Sequence, residues 1–295
     1  MRPELTQASD LLRRNSPEAV AEAIGLLQST VYSFSMKMCG HREDAEDTAQ
    51  EVLFRSMKYL PKLQDPSALA AWLYTVAKNR CHRMRGAAAA APSARLSLDE
   101  LMPDQDELRE LLLDRAKSPE GLLLHAEERD LLHRAVLNTP TPLRLVLVLH
   151  DMEELSTDQV AQILGLQEGT VRVRLHRARL TLRKQIPLLM KAASEKDHGR
   201  RKKLHVRKRR TAEARKPVEC RALFASLSEY LDGRLQPESC DSIRAHMERC
   251  PGCVAFLRDL RAAIERCRTL KAECDPKIAL RLQTILTEEY LRLMA

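Results

Sequence analysis

The stretch from residue 155 to residue 185, LSTDQVAQILGLQEGTVRVRLHRARLTLRKQ, decides the fold of the central part of the chain. Its first part predicts a short helix with Ser156 as N-cap and Gly165 as the stop. A second helix is predicted to begin at Gln167 or Glu168 and to end at about Gln185. Two helices joined by a short turn that contains glycine form a helix-turn-helix, whose second helix enters the DNA major groove.

The residue pattern of the second helix supports DNA binding. On a helical wheel one narrow stripe should face the core, and it holds Val171, Leu175, Ala178 and Leu182. The open side is predicted to carry Arg172, Val173, His176, Arg177, Arg179 and Arg183. Six basic residues and one acid lie between residues 168 and 185, and guanidinium groups suit both phosphates and guanine edges. A solvated cationic helix is the alternative interpretation.

The composition predicts an all-α protein of several small parts. At 295 residues the chain has room for about two domains of roughly 150 residues. With 44% hydrophobic and 31% charged residues, wholesale disorder is excluded, and nine glycines with 3% aromatics favour helices over sheets. The sequence has no apolar run of membrane-spanning length and no signal-peptide core, which predicts a cytoplasmic protein without membrane contact.

The positive charge of the chain is concentrated in one segment. The 49 Lys and Arg exceed the 41 Asp and Glu by eight, and residues 200–210 alone contain eight basic residues and no acid. Such a run predicts a solvated tether, or alternatively a segment with extra phosphate contacts. The chain therefore divides into helical domains over 17–86 and 119–187, a linker over 87–118, a basic tether over 188–217 and a cysteine-rich part over 218–295.

The cysteine-rich part contains the spacing of a zinc site. His246 and Cys250 lie one helical turn apart, and Pro251 with Gly252 turns the chain so that Cys253 can join them. Thiolates and an imidazole favour zinc over harder ions. The fourth ligand is left open between Cys220, Cys240 and, less favoured, Cys267, Cys274 or water. The early cysteines, Cys39 and Cys81, are predicted to be buried as small apolar groups.

The first helical domain has three consecutive features. Residues 44–54 form an acidic-faced amphipathic helix, residues 61–67 a loop bracketed by prolines, and residues 72–83 a helix that becomes basic at its end. Aromatic rings beside Asn and Arg suit unstacked bases, although Trp72 and Tyr74 are alternatively core residues.

Two of these segments, together with the helix-turn-helix, resemble a known protein family. The segments Ala45-Glu46-Asp47…Gln50-Glu51-Val52 and Ala71-Trp72-Leu73-Tyr74…Ala77…Asn79-Arg80, followed by the helix-turn-helix, resemble the bacterial extracytoplasmic-function (ECF) sigma factors over about residues 17–187. The resemblance implies two helical sigma domains joined by a linker, with core RNA polymerase and promoter DNA as partners.

The same resemblance implies roles for individual residues. The polymerase-binding surface would comprise Asp47, Gln50 and Glu51. The −10 promoter element would be contacted by Lys62, Asp65, Ser67, Trp72, Tyr74, Asn79, Arg80 and Arg83. The −35 element would be read by Thr170, Arg172, Val173, Arg174, His176, Arg177 and Arg179.

The C-terminal part resembles the zinc-binding anti-sigma domain, on the stretch Tyr230-Leu231-Asp232-Gly233 followed by the His-x3-Cys-x2-Cys spacing. This resemblance implies Cys220 as the fourth ligand of one Zn²⁺, and a regulatory domain that contacts the sigma domains of its own chain. The zinc would be either structural or redox-sensing. The helix predicted from Pro276 would pack on the sigma domains, or alternatively form a self-contained hairpin.

The sequence as a whole therefore predicts a non-enzymatic ECF-type sigma factor with a fused zinc-binding regulatory domain. The alternative is a helix-turn-helix regulator that binds DNA without core polymerase. A zinc hydrolase is disfavoured, because a four-ligand site rich in cysteine leaves no open position for water.

Overall fold

The computed structural model describes residues 2–14, 16–63, 65–85, 97–104, 107–108, 125–197 and 218–294. Helices account for the regular structure of these residues, which agrees with the predicted all-α class. The chain divides into two compact units, one formed by residues 1–93, 140–171 and 268–295, the other by residues 94–139 and 172–267. No helix in the described ranges combines the length and the apolar character needed to cross a bilayer.

Thirteen α-helices are described, and we number them in chain order. They are α1 (Pro3–Arg14), α2 (Pro17–Cys39), α3 (Arg42–Ser56), α4 (Pro66–Arg85), α5 (Leu98–Leu101), α6 (His125–Asn138), α7 (Thr141–Leu147), α8 (Thr157–Leu164), α9 (Glu168–Asp197), α10 (Val218–Leu231), α11 (Pro237–Arg249), α12 (Pro251–Arg268) and α13 (Pro276–Met294). A 3₁₀ turn covers Leu60–Lys62, and a π-helical turn covers Val148–Met152.

The central element of the first unit is α2. The Ser16 side chain caps its start by accepting a hydrogen bond from the Ala19 N–H at 3.2 Å, and Gly40, with φ of 80°, ends it. Helices α1, α3, α4 and α13 all contact α2. This burial on several sides explains why apolar and small residues occupy most positions of α2.

The last helix, α13, lies against α2 and α3. Its buried stripe consists of Leu282, Leu286 and Tyr290, spaced four residues apart. Ile278, Ile285 and Leu293 of the same helix are exposed. The Gln283 amide donates to the Ala21 carbonyl of α2.

The helix-turn-helix forms as predicted around Gly165. A capping box between Ser156 and Gln159 starts α8, and Gly165 ends it in the left-handed region at φ of 63°. The predicted core stripe of α9 is buried, with Val171, Leu175, Ala178 and Leu182 at most 1% exposed. The predicted end at Gln185 was wrong, because α9 continues through Pro187 to Asp197.

The second unit has its own apolar core. Phe224 of α10 and Phe256 of α12 meet edge to face with ring centroids 5.0 Å apart, and Leu180 of α9 belongs to the same cluster. Three residues from the predicted linker, Leu101, Met102 and Leu108, are buried there as well. Part of the linker is therefore core, while its alanine tract and the basic run at 200–210 lie outside the described residues.

Candidate metal centre and nucleic-acid interface

Four side chains converge in the second unit, one each from α10, α11 and α12 and one from the residue between α11 and α12. Their ligand atoms all lie within 4.8 Å of one another, and the residues are Cys220, His246, Cys250 and Cys253. The Cys220 Sγ lies 3.6 Å from His246 Nε2 and 3.6 Å from Cys253 Sγ, and His246 Nε2 lies 3.3 Å from Cys253 Sγ. The structure thus brings the three spaced residues together with Cys220.

The three shorter separations lie close to the edges of a zinc tetrahedron. Zn–S bonds of about 2.3 Å and Zn–N bonds of about 2.0 Å give ligand-to-ligand distances of roughly 3.5–3.8 Å. Burial and the neighbouring thiols of Cys250 and Cys220 raise the pKa of Cys253, so a divalent ion that binds here would displace the thiol proton. Cys240 lies apart, with its thiol directed to the Leu235 carbonyl at 3.8 Å. The donor set fits one Zn²⁺.

The recognition helix α9 is partly covered by α10 of the same unit. Arg179 is 1% exposed, and its guanidinium donates to both carboxylate oxygens of Asp232 at 2.7 and 3.2 Å. It also donates to the Ser228 carbonyl at 3.3 Å. A buried, bidentate ion pair of this kind fixes the orientation of the arginine side chain strongly. The prediction that Arg179 lies on the open side of α9 was therefore wrong in this state.

One turn further along α9, Arg183 is held by a second acidic group. Its guanidinium donates to Asp259 of α12 at 2.8 Å and to Glu107 at 3.1 Å, and it lies 4.3 Å from the centre of the Phe256 ring. Arg183 is 6% exposed, so its predicted place on the open side was also wrong.

The remaining predicted −35 residues divide by exposure. His176 is buried, with Nδ1 3.2 Å from the Ser228 hydroxyl, so its predicted exposure was wrong for the same reason. Arg174 and Arg177 are half-buried. Exposed positions at the start of α9 are Thr170, Arg172 and Val173. Residues of α10 and α12, together with Asp232, thus cover the later turns of α9, while its first turn is exposed.

The burial of His176 predicts a pH-dependent stability. Burial, with help from Arg179 and Arg177, lowers the pKa of His176 from 6.5 to about 4, while Asp232 is occupied by Arg179. The neutral ring is favoured in the covered state, so stability is full above pH 6.5 and is lost as pH falls towards 4. Between pH 7.5 and 5.5 the covered state should weaken by about tenfold, or about 1.4 kcal/mol.

Urea denaturation of the zinc-loaded chain at both pH values checks this expectation. H176Q keeps a hydrogen-bonding side chain but cannot titrate, so it serves as the control that shares every other pH effect. The wild type should lose about 1.4 kcal/mol more than H176Q on acidification. Equal losses in the two proteins would show that His176 does not carry the effect.

The predicted polymerase-binding residues lie on α3. Asp47 and Gln50 are exposed, whereas Glu51 is half-buried and pairs with Arg55 and Arg80, both at 2.6 Å. The charged face of α3 is therefore continuous with α4 through the Glu51–Arg80 pair.

The predicted −10 residues are only partly accessible. Lys62, Asp65, Ser67 and Asn79 are exposed, and Asp65 caps α4 by accepting from the Ala68 N–H at 2.8 Å. Trp72 is half-buried beside Tyr59, with ring centroids 5.3 Å apart, and Arg80 is half-buried. The side chain of Arg83 lies outside the described residues.

Tyr74, which was predicted to contact the −10 element, is buried in the first unit. It is 1% exposed, and its hydroxyl donates to Glu153 at 2.8 Å, so protein covers both the ring and the hydroxyl. This burial matches the alternative that Tyr74 is a core residue, and its contact with the −10 element stays a prediction.

Comparison with known families assigns three segments of the chain. Sigma-70 region 2 matches residues 24–89, and Sigma-70 region 4 matches residues 129–182. A zinc-finger family matches residues 220–253, a range that begins and ends on two of the clustered cysteines. One polypeptide thus contains segments that match two sigma-70 regions and a zinc-finger family.

Similar curated proteins narrow the class. The ECF RNA polymerase sigma factor SigW of Bacillus subtilis is 26% identical over 176 residues, 59% of this chain and 92% of the relative. The ECF RNA polymerase sigma-E factor of Escherichia coli is 28% identical over 148 residues, 50% and 76% of the two chains. The RNA polymerase sigma-H factor of Pseudomonas aeruginosa is 26% identical over 195 residues, 63% and 96%. The predicted resemblance to ECF sigma factors is confirmed.

Sequence reasoning missed the acidic residues that meet α9. Asp232 belongs to the Tyr-Leu-Asp-Gly stretch. The available signal was that an acid in this stretch could pair with the strongly basic helix at residues 168–185. Asp259 and Glu107 carried no such signal, because surface acids are common on helices.

Proposed function

We propose that this chain is an ECF-type sigma factor that binds core RNA polymerase, reads the −35 and −10 promoter elements and is regulated by its own zinc-binding part. It initiates transcription as a non-enzymatic factor in the cytoplasm. The observation that carries the regulatory half is the buried Arg179–Asp232 pair, since Arg179 belongs to the helix that region 4 offers to DNA.

The regulation follows from competition for the same guanidinium groups. Arg179 and Arg183 bind carboxylates in the covered state, and DNA phosphates or guanine edges need the same donors. A helix that enters the major groove also needs its flank clear of other helices, and α10 lies along that flank of α9 at Ser228 and Asp232. The zinc-binding part therefore holds the −35 reader in a state that excludes duplex DNA.

The metal centre orders the acidic surface. Its ligands come from α10, α11, α12 and the residue that joins α11 to α12, so a bound Zn²⁺ would tie these three helices together. Asp232 lies near the end of the helix that carries Cys220, and Asp259 lies on the helix that carries Cys253. Loss of the metal would therefore let Asp232 and Asp259 move away from Arg179 and Arg183 of α9.

The residue assignments in region 2 complete the proposal. Asp47, Gln50 and Glu51 bind the polymerase, and the exposed loop and helix residues Lys62, Asp65, Ser67 and Asn79 contact the −10 element with Trp72, Arg80 and Arg83. Support comes from the match to sigma-70 region 2 and from the exposure of the loop.

A binding assay with core polymerase separates this function from a helix-turn-helix regulator that acts alone. The double variant D47A/Q50A should weaken core binding by at least tenfold, whereas E43A, an exposed acid on the same helix, should leave it unchanged. If D47A/Q50A binds core polymerase as tightly as the wild type does, or if the wild type does not bind core polymerase at all, the sigma-factor assignment fails. The regulator interpretation then takes its place.

A further inference from the structure

A cluster of buried polar groups joins the two sigma regions within the first unit. Glu153, which belongs to region 4, is 1% exposed, and its carboxylate contacts Lys37 Nζ at 2.6 Å. Arg2 Nε lies 3.1 Å from the same carboxylate, and the Tyr74 hydroxyl donates to it at 2.8 Å. Lys37 and Tyr74 belong to region 2. One carboxylate thus serves three donors from α2, α4 and the residue before α1.

Burial makes this cluster an all-or-none contact. Lys37 is 1% exposed, and burial lowers its pKa, while the Glu153 charge favours the protonated ammonium. Burial and Glu153 also raise the pKa of Tyr74, which keeps its hydroxyl proton available for donation. Removing the carboxylate would leave the cations Lys37 and Arg2 buried without their counter-charge, and breaking a buried pair in this way is strongly destabilising.

Three more hydrogen bonds join the two regions. Two are accepted by carbonyls in the last turns of helices, and one by the loop assigned to the −10 element. Lys78 Nζ donates to the Ile163 carbonyl in the last turn of α8 at 2.7 Å, and Arg144 donates to the Met38 carbonyl in the last turn of α2 at 3.1 Å. The Gln159 amide donates to the Ser67 hydroxyl at 3.3 Å. Region 4 thus contacts the loop of region 2 that is assigned to the −10 element.

This arrangement is incompatible with simultaneous promoter contacts. The −10 and −35 elements are about 25 base pairs apart, or about 85 Å at 3.4 Å per base pair. In the structure the first helix of the helix-turn-helix contacts the −10 loop directly. Region 2 and region 4 must therefore separate before both elements are bound.

We propose that the Glu153 cluster is a latch that holds region 2 and the first part of region 4 together, and that its opening precedes promoter binding. The proposal rests on the proposed sigma function for its consequence, but the latch itself is a property of the free chain. It differs from the covering of α9, because it uses no residue of the zinc-binding part.

The backbone around Glu153 is shaped for this contact. The π-helical turn Val148–Met152 widens the helix immediately before it, and Glu154 immediately after it has a φ of 57°. A residue other than glycine in the left-handed region is strained, so the surrounding contacts keep the segment in this conformation. Release of Glu153 would let Glu154 relax.

Fluorescence energy transfer within the full zinc-loaded chain tests the latch. Donor and acceptor dyes attached through noncanonical amino acids at Glu43 of α3 and Gln162 of α8 report the separation of the two regions and leave the cysteines untouched. E153Q should shift the ratio of closed to open chain by about 100-fold or more and lengthen the mean distance. The matched control is E154Q, which removes the same charge from the exposed neighbouring position.

The outcomes are distinct. A longer distance in E153Q, with unchanged helical circular dichroism and an unchanged E154Q, supports the latch. A wild-type distance in E153Q, or an open wild type, overturns it. If E153Q loses helical content, Y74F decides by the same criteria, since it removes one hydrogen bond and keeps the ring. Core binding and transcription are scored separately, so a responsive distance without transcription would fault the sigma function and leave the latch standing.

Discussion

Replacing Asp232 with asparagine is expected to raise the affinity of the full chain for duplex DNA by about 100-fold. The substitution leaves the buried Arg179 without its counter-charge, which disfavours the covered state of α9 by roughly 3 kcal/mol. Arg179 itself is unchanged and becomes available to DNA. A duplex selected with D232N from a random pool, titrated by fluorescence anisotropy at one fixed salt concentration, measures the change.

The control is D241N in the same part of the chain. Asp241 pairs with Arg244 on α11, and both side chains are largely exposed, at 72% and 64%, so this pair contributes little. D241N should bind DNA like the wild type. Equal affinities of D232N and the wild type would show that the Asp232–Arg179 pair does not restrain the recognition helix.

Removal of the metal is expected to produce the other large effect. Structural zinc sites contribute roughly 10–16 kcal/mol of apparent binding energy to the folding of small domains at neutral pH. Chelation should therefore loosen α10, α11 and α12 and raise DNA affinity at least as far as D232N does. Metal analysis should find one zinc per chain before chelation. Fluorescence anisotropy on the same duplex should then show that DNA affinity rises as the zinc is lost.

Cysteine variants give this experiment its internal control. C253S should abolish zinc retention and reproduce the effect of chelation, whereas C240S should retain one zinc and bind DNA like the wild type, because Cys240 lies outside the cluster. Zinc loss in C240S with zinc retention in C220S would contradict the ligand set.

The helix-turn-helix and the metal spacing were predictable from sequence because both depend on near neighbours. Ser156, Gly165 and the period of α9 act within a few residues, and His246 and Cys250 share a helix face by their spacing alone. Such local chemistry fixes elements and pairs of ligands. It also placed the buried stripe of α9 correctly, since the period of a helix determines which residues share one side.

The covering of that helix could not be predicted, because a wheel shows which residues share a face and not what lies against it. Arg179 meets Asp232 across 53 residues, and Arg183 meets Asp259 across 76 residues. Tyr74 likewise donates to Glu153, 79 residues away, and this contact helps to bury a residue that was predicted to contact DNA. The extension of α9 beyond Pro187 also escaped prediction, since proline usually ends a helix.

Mapping of transcript 5′ ends tests the central claim most directly. Core RNA polymerase is combined with the wild type or with D232N on fragments of the source genome, and the 5′ ends are sequenced. We expect discrete start sites, absent with core alone, preceded by shared sequence elements near −10 and −35, and at least tenfold more abundant with D232N. Start sites no different from core alone with D232N would contradict a sigma factor, and equal abundance with both proteins would contradict its restraint by the zinc-binding part.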